Sequence, residues 1–193
     1  MDALMECPCR FGPPPTREGP SAIFLDRDGV LVPDAGYAAS PDQISLLPGV
    51  PAALRRLRRL GYRLVIVTNQ SGLARGFFEP EALDRIHARL WEVLDNAAAG
   101  PDALYYCPHL AGGSVRPFAR ECDYRKPRPG MLLAASREMD LDLARCWMIG
   151  DKPSDIEAGI SAGCRAAIRV GKDQPCRDLP AAVEVIAQSP ADP

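Results

Sequence analysis

A short apolar run that ends on two carboxylates constrains this chain more than any other feature. Ala22-Ile23-Phe24-Leu25 leads directly into Asp26-Arg27-Asp28-Gly29. An apolar run of that length bounded by a turn signal reads as a buried strand, here 22–26. In an open α/β sheet, ligands bind just beyond the carboxyl ends of the strands. The strand therefore delivers Asp26 and Asp28 to the place where such a sheet keeps its chemistry, and their mutual repulsion asks for a cation between them. Taken alone, Asp-x-Asp-Gly also occurs at ordinary turns after strands. A calcium loop is set aside, because it needs Gly at its sixth position and Glu at its twelfth, whereas Gly29 is the fourth residue from Asp26.

The same pattern repeats along the chain. Strands are expected at 63–68, 103–106, 146–150 and 166–170, with Val183 to Ile186 as a last short strand. Helices are expected from Pro51 through Leu60 and at about 80–96, 129–139 and 154–162. The 80–96 helix sets Leu83, Ile86, Leu90, Val93 and Leu94 on one face; His87, beside that face, is given no functional role. Strands alternating with helices predict an α/β fold: a doubly wound, mostly parallel, Rossmann-like sheet with helices on both faces. Residues 1–20, with Gly12-Pro13-Pro14-Pro15, read as a flexible tail before a single domain at 21–193. The Cys7-x-Cys9 pair on that tail assigns no metal by itself. Residues 107–128 form a long loop carrying Cys107, His109, Cys122, Arg125 and Lys126. Loops beyond about 12–15 residues in a compact domain are usually functional or disordered, and these residue types favour function.

Composition narrows the partners. With 193 residues, 25% charged, a net charge of -2 and a pI near 5.7, the chain has no general attraction for nucleic acid or anionic membrane, so an anionic substrate must be held by local cations. No apolar stretch approaches the ~20 residues needed to cross a membrane, and the N-terminus does not read as a secretory signal. Seven cysteines in no paired pattern predict a reducing cytoplasm. One compact domain without an exposed heptad pattern predicts a monomer. Of the 23 basic residues only three are lysine, Lys126, Lys152 and Lys172, which marks these as places that need a compact ammonium.

Three strand ends now carry polar groups fit for a single chemistry. These are Asp26 and Asp28, Thr68, and Asp151 with Asp155 one turn on, while Lys126 comes from the long loop. FLDRDG, VTN, RKP and GDKPSD, in this order, resemble the four motifs of the haloacid dehalogenase superfamily of phosphatases. The resemblance implies a phosphoric monoester hydrolase. Asp26 would be the nucleophile that forms an aspartyl-phosphate, and Asp28 the general acid and base. Thr68 and Lys126 would hold the transferring phosphoryl oxygens. Mg²⁺ would sit between Asp26, the Asp28 backbone carbonyl and Asp151, with Asp155 steadying the shell.

Cys107-Pro108-His109, Gly113-Ser114-Val115, Cys122-Asp123, Arg125-Lys126-Pro127, Thr68-Asn69-Gln70-Ser71-Gly72, Arg75-Gly76 and Gly36-Tyr37 resemble, more narrowly, the D-glycero-D-manno-heptose-1,7-bisphosphate 7-phosphatase family. That family removes the 7-phosphate in nucleotide-activated heptose biosynthesis, which supplies lipopolysaccharide core precursors. The resemblance implies a small-molecule sugar bisphosphate contacted by Asp34, Ala35, Gly36, Tyr37, Thr68, Asn69, Gln70, Ser71, Arg125, Lys126 and Lys152. It also implies a structural Zn²⁺ in the long loop, bound in the family by Cys-x-His and Cys-x-Cys. Here Cys107, His109 and Cys122 are present, and Tyr124 stands where the fourth cysteine belongs. Three ligands admit zinc with a water or Asp123 as the fourth, and equally a metal-free loop. Histidinol-phosphate phosphatase is the alternative within the superfamily, and a non-catalytic binding protein on the same fold is the remote one.

Overall fold

The computed structural model of the chain describes residues 7–13, 19–34, 36–38 and 40–189. Six strands form one sheet: β1 (Cys9–Phe11), β2 (Ala22–Leu25), β3 (Arg63–Asn69), β4 (Ala103–Cys107), β5 (Trp147–Gly150) and β6 (Ala166–Arg169). Six helices accompany them: α1 (Val50–Arg59), α2 (Gly72–Arg75), α3 (Pro80–Asn96), α4 (Gly130–Met139), α5 (Pro153–Ala162) and α6 (Leu179–Gln188). The strand order is β1-β4-β3-β2-β5-β6. Strands β2 to β6 run parallel, and β1 is antiparallel to β4. The chain winds outward from β2 through β3 to β4, then returns to β5 on the other side of β2. This reversal is a topological switch point, and a crevice opens there at the carboxyl ends of the strands.

Alternation along each strand feeds two cores. Ile23, Leu25, Leu64, Ile66, Leu104 and Ile149 face one side and pack on the apolar stripes of α1, α3 and α6. Ala22, Phe24, Val65, Val67, Tyr105 and Met148 face the other and pack on α4 and α5. Because both faces are covered, β2 is buried along its whole length, which is why it reads as a continuous apolar run rather than an alternating one.

Two expectations are corrected. Val183 to Ile186 is not a strand. It lies in α6, where Asp178 caps the helix by accepting from the Ala181 N–H at 2.9 Å. The buried Leu179, Ala182, Val183 and Ile186 follow helical spacing, a period that a four-residue window cannot show. The N-terminal tail is also not wholly a tail. Cys9, Arg10 and Phe11 pair with Tyr106, Tyr105 and Leu104, so the edge of β4 is covered, and Phe11 packs on His87 and Trp91 with ring centroids 5.5 and 6.3 Å away. Three residues are too few for periodicity to register, but an uncovered sheet edge is a row of unpaired donors and acceptors. His87 is fully buried beneath this arm, and burial holds its pKa well below the ordinary value, so the imidazole is neutral. Residues 1–6 and 14–18 of the expected tail lie outside the described residues.

Leu57 is fully buried between α1 and the sheet. Leu57→Ala is expected to cost about 2–5 kcal/mol, seen as a lower urea midpoint with an unchanged slope.

Candidate active site

Three carboxylates converge where β2 and β5 end. Asp26, Asp151 and Asp155 each bring one oxygen within 4.8 Å of the others. Local backbone conformation makes this approach possible. Gly29 takes φ +76°, and a Cβ there would lie 2.5 Å from Asp151 Oδ2; a Cβ on Gly150 would collide with the Asp155 side chain. Asp155 is itself fixed as the third residue of α5, its Oδ2 accepting from the Lys152 N–H at 2.9 Å, which satisfies a backbone donor at the start of the helix.

Lys126 answers the negative charge. Its ammonium is buried, 2.9 Å from Asp26 Oδ1 and 2.6 Å from Asp155 Oδ1, and it donates to the Val67 carbonyl at 2.7 Å. Burial works against this charge, but the two carboxylates outweigh it and raise the Lys126 pKa. Asn69 clamps the Lys126 backbone from both sides, donating to its carbonyl at 3.0 Å and accepting from its N–H at 3.1 Å. Asp26 Oδ1 also accepts from the Arg27 N–H at 2.8 Å. Among the described residues, these donors fall on Oδ1 and not on Oδ2.

Asp28 is held differently. Arg27 grips it with two bonds, Nε to Oδ1 at 3.0 Å and Nη2 to Oδ2 at 2.9 Å. Gln70 donates to Asp28 Oδ2 at 3.3 Å and to the Thr68 hydroxyl at 2.9 Å. Thr68 thus lies fully buried beneath Gln70. Above them opens a cavity of about 540 Å³, bounded by Asp28 and Lys126 below and by Arg75, Arg125 and Lys152 around the rim. Asp34, Gly36, Tyr37, Asn69, Gln70 and Ser71 complete the lining. Ala35 lies outside the described residues. Lys152 pairs with Asp34 at 3.0 Å; despite burial, each partner holds the other charged, lowering the Asp34 pKa and raising that of Lys152.

The carboxylate cluster suits a hard divalent cation. Asp151 Oδ1 is buried with no hydrogen-bond partner among the described residues. Burial, opposed by Lys152 and reinforced by Asp26 and Asp155, pushes its pKa up to about 6. Both features describe a carboxylate short of positive charge, and oxygen donors at this spacing fit Mg²⁺.

A second cluster lies in the long loop. Cys7, Cys107, His109 and Cys122 bring ligand atoms within 4.8 Å of one another. The buried His109 has its pKa lowered to about 4 by burial and by Arg120, so its imidazole is neutral, as a metal ligand must be. Arg125 donates to the His109 carbonyl at 3.0 Å, which links this cluster to the cavity rim. Asp123, one expected fourth ligand, is turned away: its side chain is 90% exposed and pairs with Arg128 at 3.1 Å.

The structure places the described residues expected from sequence in two neighbouring groups, the Cys/His cluster and the crevice, with Asp26, Thr68, Asp151 and Asp155 outside the cavity lining itself. From sequence, Arg27, Arg75 and Cys7 are assigned no site role. A signal existed for Arg75, which follows Ser71 by one helical turn and so shares its face. Arg27, between two aspartates at a buried strand end, could also have been paired with one of them. Cys7 stood in a C-x-C pair, a weak metal signal, with nothing local to place it beside the loop.

A family model for haloacid dehalogenase-like hydrolases matches residues 24–163. The D-glycero-beta-D-manno-heptose-1,7-bisphosphate 7-phosphatase of Yersinia pestis is 44% identical over 154 residues, covering 78% of this chain and 81% of that protein. The same enzyme of Escherichia coli K12 is 43% identical over 78% of this chain and 80% of its own. A crystal structure of the D,D-heptose 1,7-bisphosphate phosphatase of B. bronchiseptica, complexed with magnesium and phosphate, is 35% identical with a TM-score of 0.75, covering 87% of this chain and 98% of the other.

The raised pKa of Asp151 makes a signed prediction. Mg²⁺ must displace a proton from this carboxyl below about pH 6, so its affinity is expected to fall between pH 7 and pH 5. The folded value lies above the ordinary 3.8, so this group's contribution to the stability of the metal-free fold is largest below 3.8 and is lost as pH rises through 6. Calorimetric Mg²⁺ titrations at pH 5, 6 and 7 check the first point; a flat affinity would mean that the metal displaces no proton from a carboxyl of raised pKa.

Proposed function

The chain belongs to the haloacid dehalogenase-like hydrolases, and from that premise we propose that it removes the 7-phosphate of D-glycero-β-D-manno-heptose 1,7-bisphosphate in nucleotide-activated heptose biosynthesis. The observation that carries this reading is the 44% identity, spanning most of both chains, to a relative that bears that activity. The charge of the cavity supports it. Lys126 lies at the reacting end, while Arg75 and Arg125 at the rim offer planar forks for a second phosphate. No described helix is long and apolar enough to cross a membrane, and no disulfide joins any of the seven cysteines; both suit an enzyme of the cytoplasm.

The residues divide the work. Asp26 Oδ2 attacks phosphorus and forms an acyl phosphate as the ester P–O bond breaks, while Asp28 gives a proton to the departing sugar oxygen. Asp28 then takes a proton from the water that attacks the acyl phosphate, phosphate departs, and the Asp26 carboxylate is regenerated. Arg27 and Gln70 fix the direction in which Asp28 faces. Lys126 neutralises charge on the transferring phosphoryl group, which matters most in a reaction with little covalent work for the protein to do. Asp26, Asp151 and the Asp28 backbone carbonyl would hold Mg²⁺, with Asp155 supporting them. Bound there, Mg²⁺ would act as a Lewis acid on phosphoryl oxygen and screen the carboxylates from a dianion. Cys107, His109 and Cys122 would hold a structural Zn²⁺, which would shape the loop behind Arg125 and Lys126.

Phosphate release over a panel of phosphate monoesters with Mg²⁺ tests the substrate. The heptose bisphosphate is expected to exceed histidinol phosphate and sugar monophosphates by about 10–100-fold in kcat/KM, the worth of one charge-assisted phosphate contact. A preference for histidinol phosphate would replace this reading with the superfamily alternative. Asp26→Asn should fold normally by circular dichroism and retain less than about 1% of turnover, since an amide cannot attack in place of the carboxylate.

A further inference from the structure

We propose that Cys7, carried in by the N-terminal arm, is the fourth ligand of the loop zinc, so that the metal ties the arm to the loop presenting Arg125 and Lys126. This rests on the zinc reading above and corrects the expectation of a water or Asp123 in that position. The Cys7 sulfur lies 3.3 Å from His109 Nδ1, and the Cys107 sulfur lies 3.8 Å from the same nitrogen. Tetrahedral zinc with Zn–S near 2.3 Å and Zn–N near 2.0 Å places its ligand atoms about 3.5–3.8 Å apart. The four side chains therefore already stand close to a closed S₃N site.

The position of Cys7 follows from the sheet. Cys9 is paired with Tyr106, and antiparallel register keeps the sum of paired numbers constant, at 9 + 106 = 115. Carried two residues back, the same register sets Cys7 opposite residue 108, between Cys107 and His109. The β1–β4 ladder thus aims the arm's first described residue at the loop ligands. The alternatives within the loop are weak. Asp123 faces solvent and binds Arg128, and a tyrosine phenol, as at position 124, is not among the thiolate, imidazole and carboxylate ligands that zinc sites use. Charge agrees as well. Three thiolates and Zn²⁺ carry one net negative charge, and the nearby Arg120 and Arg125 supply positive charge. Binding Zn²⁺ transfers the three thiol protons to solvent, so no oxidant or other reactant is needed.

The test compares full-length wild type, Cys7→Ser, Cys9→Ser and the double variant Cys7→Ser/Tyr124→Cys. Each is stripped of metal under reducing conditions, then titrated with Zn²⁺ against a chromophoric chelator and with Co²⁺ by absorption. Wild type should take up one metal with the spectrum of tetrahedral cobalt bound by three thiolates. Cys7→Ser should lose one thiolate's share of the sulfur-to-cobalt absorption. Its zinc affinity should fall by more than the about 10–100-fold that removal of an outer-shell partner costs. The amides of 9–11 should also lose their zinc-dependent protection from hydrogen exchange. Cys9→Ser, on the same arm but outside the cluster, should bind zinc like wild type. The double variant, with a cysteine restored inside the loop, should regain affinity without regaining arm protection. Cys7→Ser binding zinc as tightly as wild type, with an unchanged cobalt spectrum, would overturn the role of Cys7 and leave the loop zinc standing. Wild type that is fully active but takes up neither metal would overturn both, and the fault would lie in the zinc reading. If Cys7→Ser does not fold, the wild-type cobalt spectrum decides alone, because a two-thiolate signature contradicts the proposal.

Discussion

The site depends on one buried ammonium. Three carboxylates, two of them buried, meet at the end of a sheet covered on both faces, where water screens them poorly. Lys126 touches two of the three and the Val67 carbonyl. Stripping one partner from a buried ion pair costs about 3–5 kcal/mol, against a total of about 5–15 kcal/mol for a whole domain. The strand ends and the long loop are therefore not separable modules. The loop supplies the charge that lets the strand ends approach, and Asn69 at the end of β3 holds the loop backbone that carries it. Lys126 covers only Asp26 and Asp155, so Asp151 keeps an unpartnered oxygen and a raised pKa. The protein balances its own charge incompletely, and the residue left over, Asp151, is the one suited to a cation.

Sequence carries the fold where burial leaves a period and the chemistry where a motif sits on a strand end. The five parallel strands and the helices α1, α3, α4 and α5 all follow from apolar spacing and from Pro and Gly at their ends. The Val183 to Ile186 segment misleads because it is apolar and short; its cap at Asp178 and its partner at Leu179 lie outside the window. The Cys9–Phe11 strand is illegible for a different reason. Its cause is the unpaired edge of β4, far along the chain, and no local propensity records that need.

The same division holds within the site. Asp26, Asp28, Asp151, Asp155 and Lys126 are legible because each lies next to a strand whose end fixes its position or in a motif that answers one. Tyr124 shows the opposite. Reading along the loop finds a missing fourth cysteine and stops, whereas the fold brings a thiol to that place from the other end of the chain. Spacing motifs report ligands that are neighbours in sequence. They are blind to a side chain delivered by strand pairing.

That pairing also imposes a timetable on synthesis. Cys7 and His109 are 102 residues apart, and β1 has no strand to join until β4 has been made. At about 5–20 residues per second, the arm waits roughly 5–20 s on a ribosome before its partner emerges. Throughout that interval Cys7 and Cys9 are nascent-chain thiols with nothing to bind. The arm is thus made well before the strand and the loop that it joins, and its two thiols wait unplaced until both arrive.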